Sequence, residues 1–168
     1  MAERRSVLVT GANSGLGLAT VLEVARRGFH AVGSVRSAEK AEQVRSAADQ
    51  AGVAVDTVLL DIVDGDAAKR VIDELRPLGI VNNAGYMHYS ACEDTPETEV
   101  RELFEVLALA PMRLARLALP HMRTAGWGRI VNVSSIVGRF PFPMMGWYQA
   151  GKHALEAVSD ALRMEVAS

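Results

Sequence analysis

The chain has 168 residues, 49% of them apolar, and a formal charge of −2. That fits one domain over residues 1–168, which at this size buries about 70% of its unfolded surface. The balanced charge argues against nucleic acid, no long uncharged apolar run is available to span a membrane, and residues 1–5 hold no signal-peptide core. A lone cysteine, Cys92, excludes an internal disulfide, and His30, His88, His121 and His153 are too scattered to pair as metal ligands. The expected setting is cytoplasmic.

Two periodicities alternate along the chain. Ser6–Thr10 is a short apolar run suited to a strand buried on both faces. A helix is predicted over residues 15–27, stopped by Gly28 in the C-cap role. Residues 31–35 read as a second strand, followed by a helix over Ala38–Gln50, opened by Ser37 and closed near Gly52. A third strand at 53–60 precedes Asp64, which caps a helix reaching Arg76 before Pro77 ends it. Gly79–Asn82 is a short fourth strand that runs into Asn83-Ala84-Gly85. Thr95-Pro96 opens a long helix, since proline at the first helical position loses no hydrogen bond. This helix should reach about Arg123, with a kink at Pro111 and an end near Gly126. Residues 129–133 form a fifth strand, and a last helix carries Tyr148 on to about Val166. Such alternation predicts βαβ units, an α/β fold with a parallel sheet and right-handed crossovers.

Thr10-Gly11-Ala12-Asn13-Ser14-Gly15-Leu16-Gly17 joins the first strand to the first helix. Glycines there permit a tight turn and close backbone approach, while the helix N-terminus offers free N–H groups to a pyrophosphate. A glycine-rich turn alone is weak evidence; its place between strand and helix gives it meaning. At the end of the second strand, an acidic residue would bind the adenine ribose of NAD, whereas an arginine accommodates the 2′-phosphate of NADP. Val35 and Arg36 stand there with no adjoining carboxylate. NADP(H) is therefore the expected cofactor and NAD(H) the alternative, unless Arg36 is only a solvated cation. Asp61, next to Ile62, is placed to accept a hydrogen bond from an adenine amino group, or merely to begin a turn.

Tyr148-Gln149-Ala150-Gly151-Lys152 sets a phenol and an ammonium on one helix face. A free phenol, with a pKa near ~10, is a poor proton shuttle at neutral pH, and a fixed cation beside it favours the phenolate. A bare YxxxK is common and also describes a buried tyrosine beside a solvated lysine.

Its company is more specific. With TGxxxGxG, the tetrapeptide Asn82-Asn83-Ala84-Gly85 and Ser135 lying 13 positions before Tyr148, the whole chain resembles the short-chain dehydrogenase/reductases. The resemblance implies a Rossmann-like doubly wound parallel sheet, about five strands of which fit this length. It implies oxidoreduction between a ketone or aldehyde and an alcohol, with Tyr148 as general acid/base. Ser135 would hold the substrate oxygen, and Lys152 would bind the nicotinamide ribose and favour the tyrosinate. Gly11, Asn13, Ser14, Gly15, Leu16 and Gly17 would line the cofactor with Arg36, Asp61 and Ile62; Asn83, Gly85, Tyr148 and Lys152 would complete its site.

Three departures from the family pattern stand out. An asparagine is expected 24 positions after Asn83 and 28 before Ser135, and both counts land on Leu107. Leucine cannot hold a water that passes protons to Lys152, so a weakened or rerouted relay is expected. Gly151 replaces the usual serine; glycine inside a helix costs roughly 1 kcal/mol relative to alanine, unless close packing there wants no side chain. The chain stops at Ser168, where the family continues with two strands, a loop over the nicotinamide and a substrate lid. A fragment or shortened product is expected, its fifth strand left as an edge.

Around the expected pocket, Tyr86, Met87, Phe140, Phe142, Met144, Met145 and Trp147 suit a small lipophilic carbonyl or alcohol, or are loop packing. Residues 97–123 and 147–166 lie where family members pair, so a homodimer or homotetramer is expected if that interface is kept. Leu103, Leu107, Leu114, Leu117 and Ala118 fit either core or interface. The competing reading is a nucleotide-binding but catalytically silent protein, and a third is a truncation with no function of its own.

Overall fold

Each of the first four strands is joined to the next by a crossover that carries a helix, the connection that parallel pairing needs. The structure, a computed structural model, describes residues 5–167. Strands β1 (Ser6–Thr10), β2 (His30–Val35), β3 (Val55–Leu59), β4 (Gly79–Asn82) and β5 (Arg129–Asn132) form one parallel sheet in the order β3-β2-β1-β4-β5. Helices α1 (Gly15–Arg26), α2 (Ala38–Gln50) and α3 (Gly65–Leu75) follow the first three strands. After β4 come α4 (Glu97–Phe104), a π-helical turn (Glu105–Leu109) and α5 (Ala110–Thr124); after β5 come a short 3-10 turn (Ile136–Gly138) and α6 (Gly146–Glu165). Strand order reverses between β1 and β4, which opens a crevice at their carboxyl ends.

The strands read as continuous apolar runs because both sheet faces are covered. Leu8, Val32 and Ile80 pack with Ile72 of α3 and Leu114 of α5. The alternate residues Val7, Val9, Ala31 and Val81 pack with Val21 of α1 and Val44 of α2. Leu103, Leu107, Leu114 and Ala118 are 0–1% exposed within this single chain. They are core, which settles the choice left open by their sequence pattern; Leu117 is only partly buried against them.

Some boundaries shift for local reasons. β3 is shorter than the expected 53–60, because Gly52 turns left-handed at φ 66 and the Val53 N–H closes back onto Ala48 O. β5 stops at Asn132, although the Val133 N–H still reaches Asn82 O. The expected single helix with a kink at Pro111 is instead two helices joined by the π turn. Proline has no N–H for the carbonyl four residues earlier, and the ladder loosens to the π register before α5 resumes with Pro111 in its first turn. The outer edge of β5 is open, with Val131 half-exposed. No helix among the described residues is long and apolar enough to cross a membrane.

Two substitutions check this packing. Ile72→Ala, at a fully buried core position, should cost about 2–5 kcal/mol. Asp64→Ala, which removes the cap from the Asp66 and Ala67 N–H groups, should cost about 1 kcal/mol. Urea midpoints at constant slope measure both.

Candidate active site

The ends of β1 and β4 are tied together by side chains. Thr10 Oγ1 accepts hydrogen bonds from the N–H groups of Asn83 and Ala84, each at 3.0 Å. Asn83 Nδ2 donates back to the carbonyls of Thr10 at 2.9 Å and Gly11 at 3.2 Å. Gly11 turns left-handed at φ 64 to enter the loop. A Cβ on Gly17 would collide with the Gly11 carbonyl oxygen and with Asn83 Nδ2, so only glycine lets α1 start flush against this tie.

The start of α1 differs from its neighbours. Ser37 caps α2 and Asp64 caps α3 with side-chain hydrogen bonds, whereas Ser14 at the head of α1 makes none. Its first-turn N–H groups face a cleft of about 560 Å³ that Gly11, Asn13, Ser14 and Leu16 help to line. Uncapped amides at a helix N-terminus are suited to an anion such as a phosphate. Gly15 supports the same turn at φ 52, and Leu16 is largely exposed beside it.

Further along the cleft stand Arg36 and Lys40. Lys40 escaped the sequence reading; its signal was a second cation in the first turn of α2, four residues after Arg36. Ser34, at the end of β2, also lines the cleft, and its buried Oγ has no hydrogen-bond partner among the described residues. Asp61 lines it too, with Oδ1 accepting from the Val63 N–H at 3.3 Å, so the turn role is real and one carboxylate oxygen is left over. Ile62 is 7% exposed and belongs both to the core and to the cleft wall. Free amides, two cations and an orphaned hydroxyl fit a phosphorylated dinucleotide.

Tyr148 and Lys152 project from α6 into the same cleft, 9% and 6% exposed. Lys152 Nζ donates to Val133 O at 2.7 Å. Burial pulls the lysine pKa below its ordinary range, and the nearby Glu156 carboxylate offsets part of that. Glu156 is itself held low, first by the Ser134 hydroxyl and then by its ion pair with Arg139. Ser134 Oγ is buried without a hydrogen-bond partner among the described residues, so the ion pair with Arg139 at 2.7 Å is the contact that geometry supports.

Ser135 stands apart from this group. It caps the 3-10 turn, its Oγ accepting from the Val137 N–H at 3.3 Å; Ser134, rather than Ser135, lines the cleft. The apolar set divides in the same way. Tyr86 and Met87 line the cleft, Met145 and Trp147 pack on the cluster of Leu103, Leu107, Val137 and Tyr148, and Phe140, Phe142 and Met144 stand in solvent. Asn83 and Gly85 are brought to the cleft, as is Leu107. A larger groove of about 980 Å³ follows the open edge of β5 and carries neither the glycine turn nor Tyr148.

The family model for short chain dehydrogenases matches residues 5–168. An uncharacterized oxidoreductase of Escherichia coli K12, YbbO, is 36% identical across 97% of this chain and 61% of its own length. A short-chain dehydrogenase from Streptomyces avermitilis superposes with a TM-score of 0.89 at 36% identity, covering 99% of this chain and 62% of that one. Another from Sphingobium yanoikuyae, in complex with NADPH, gives 0.87 at 29% identity over 97% and 66%. This chain thus spans less than two thirds of the length of these curated relatives. A match through nearly every described residue, on a fold that superposes this closely, has one reading: the chain belongs to the short chain dehydrogenase family.

Proposed function

We propose that this chain carries the cofactor-binding and proton-transfer machinery of an NADP-dependent oxidoreductase that interconverts a ketone or aldehyde with an alcohol. The observation that carries this reading is the burial of Tyr148 and Lys152 on the cleft that also presents Arg36, Lys40 and the uncapped start of α1.

The bound nicotinamide would supply or accept the hydride. The chain's own residues do the rest. The N–H groups at the head of α1 hold the pyrophosphate, while Arg36 and Lys40 offer two cations to a 2′-phosphate. Asp61, with one carboxylate oxygen not engaged by the Val63 N–H, would accept from the adenine amino group, next to Ile62. Gly11, Asn13, Ser14, Leu16, Asn83 and Gly85 shape the cleft between. Tyr148 gives the proton at its Oη to the substrate oxygen in reduction and takes the hydroxyl proton in oxidation. Lys152, fixed by the Val133 carbonyl, places a cation on the same helix face as Tyr148. Ser135 caps the 3-10 turn beyond the cleft lining, its Oγ accepting from a backbone N–H, so it would donate its proton to the substrate oxygen only where the substrate extends past the cleft to that turn. Tyr86 and Met87, which line the same cleft as Tyr148, support a small lipophilic substrate. A cytoplasmic setting, and a homodimer or homotetramer formed through the outer faces of α4 to α6, complete the proposal.

Cofactor choice is measured by titration of the 168-residue protein. NADPH should bind about tenfold tighter than NADH, and Arg36→Ala with Lys40→Ala should erase the difference, as expected for lost charge-assisted hydrogen bonds. Tyr148→Phe should lower turnover of a hydrophobic ketone by roughly 10²–10⁴ while NADPH binding persists. NADPH binding by the parent with no turnover across a ketone panel would instead identify a silent nucleotide-binding protein.

Stability against pH gives an independent check on the lysine. Its folded pKa lies below the unfolded value. Between the two, the unfolded chain holds the extra proton, and stability rises with pH. Lys152→Met should flatten that rise in urea midpoints taken from neutral to alkaline pH; an unchanged slope would contradict the assignment.

A further inference from the structure

Leu107, in the π-helical turn, is 1% exposed and touches glycines from two other segments. A Cβ on Gly151 of α6 would stand 3.0 Å from Leu107 Cδ1 and 3.2 Å from its Cβ. A Cβ on Gly85, just beyond β4, would stand 3.2 Å from Cδ2. Carbon atoms in contact prefer about 3.5–4.0 Å, so each methyl of the leucine sits in a seat that glycine leaves open. Gly85 and Leu107 line the cleft with Tyr148 and Lys152, and Gly151 is the residue before Lys152. Leu107 also packs against the Tyr148 ring in one buried cluster. A glycine in the middle of a helix lowers its stability relative to alanine. Gly151 stands in the first half of α6 despite that, where a side chain would displace the leucine.

We infer that Leu107 is a positioning residue: wedged between Gly85 and Gly151, it sets how closely α6 approaches the loop after β4, and so where Tyr148 and Lys152 stand relative to the cleft. The inference rests on the catalytic reading of those two residues. The wedge is itself placed by Pro111, whose missing N–H opens the π turn that carries Leu107. Leu107 on the π turn and Gly151 on α6 are then one fitted pair: the leucine side chain takes the space that the glycine leaves open.

A double-mutant cycle decides it. Gly151→Ala presses a methyl onto Leu107, and Leu107→Ala leaves a void. Each alone should lower kcat, Gly151→Ala by about tenfold, because small misplacements of reacting groups are expensive. NADPH affinity should fall by less than kcat does, since the α1 turn is untouched although Lys152 is displaced. In the double variant the new methyl fills the void, and kcat should return to within about threefold of the parent. Amide hydrogen exchange at residues 149–153 should follow the same order, fast in Gly151→Ala and slowed again in the double. Additive losses, or an unchanged kcat in Gly151→Ala, overturn the inference. Gly85→Ala against Leu107→Ala provides the second cycle if Gly151→Ala does not fold. If the parent turns over no carbonyl, the catalytic reading fails and the exchange measurement alone decides: recovered protection in the double supports the wedge, and additive exposure overturns it.

Discussion

The tie between Thr10 and Asn83 is the constraint on which the rest of the cleft depends. In the parallel sheet, β1 and β4 pair only up to Val9 and Val81; beyond that point Thr10 keeps Ser34 and Asn82 keeps Asn132 as partners, but the two strands lose each other just where the crevice opens. Buried backbone donors and acceptors without partners are costly. The Thr10 hydroxyl and the Asn83 amide supply the missing partners and, in doing so, fix two loops against each other. The close seat of Gly17 against Gly11 and Asn83 follows from that tie. So does the direction in which the uncapped amides of α1 point.

The opposite side of the cleft obeys steric rather than hydrogen-bonding constraints. Pro111 loosens the helical ladder, the π turn presents Leu107 inward, and Gly85 and Gly151 make room for it. Next to this apolar contact, Lys152 is buried with a backbone carbonyl as its hydrogen-bond acceptor. A desolvated ammonium is unfavourable for folding. Its retention in α6 fits a site where proton transfer, not stability, sets the choice of residue.

Cavity size is a poor guide in this molecule. The larger groove exists because β5 has an open edge beside α6, and its walls include neither the glycine turn nor the Tyr148–Lys152 pair of the smaller cleft. Convergence of an anion-ready helix start, two cations and a buried Tyr–Lys pair singles out the smaller cleft, the one proposed to be functional. Among the described residues, the buried unpartnered Ser34 Oγ belongs to that cleft alone, whereas the equally unpartnered Ser134 Oγ stands on the wall it shares with the larger groove.

Features set by near neighbours in the chain could be read directly. Asp64 and Ser37 cap the helices they precede, Gly28 and Gly52 turn left-handed where helices end, and Tyr148 and Lys152 share a face because they are four residues apart on one helix. The glycine turn and its cofactor side are equally local, and five parallel strands followed from alternating periodicities. Sequence alone could not place Ser135 on its own 3-10 turn, add Lys40 to Arg36, or separate the apolar residues of the cleft from those left in solvent. It also read Leu107 and Gly151 as two separate departures. Those positions are 44 residues apart, and only the packing of the π turn against α6 brings a leucine methyl into the space of a missing side chain. Short-range hydrogen bonding and helical periodicity are written in consecutive residues; steric fit between distant elements exists only once they are packed.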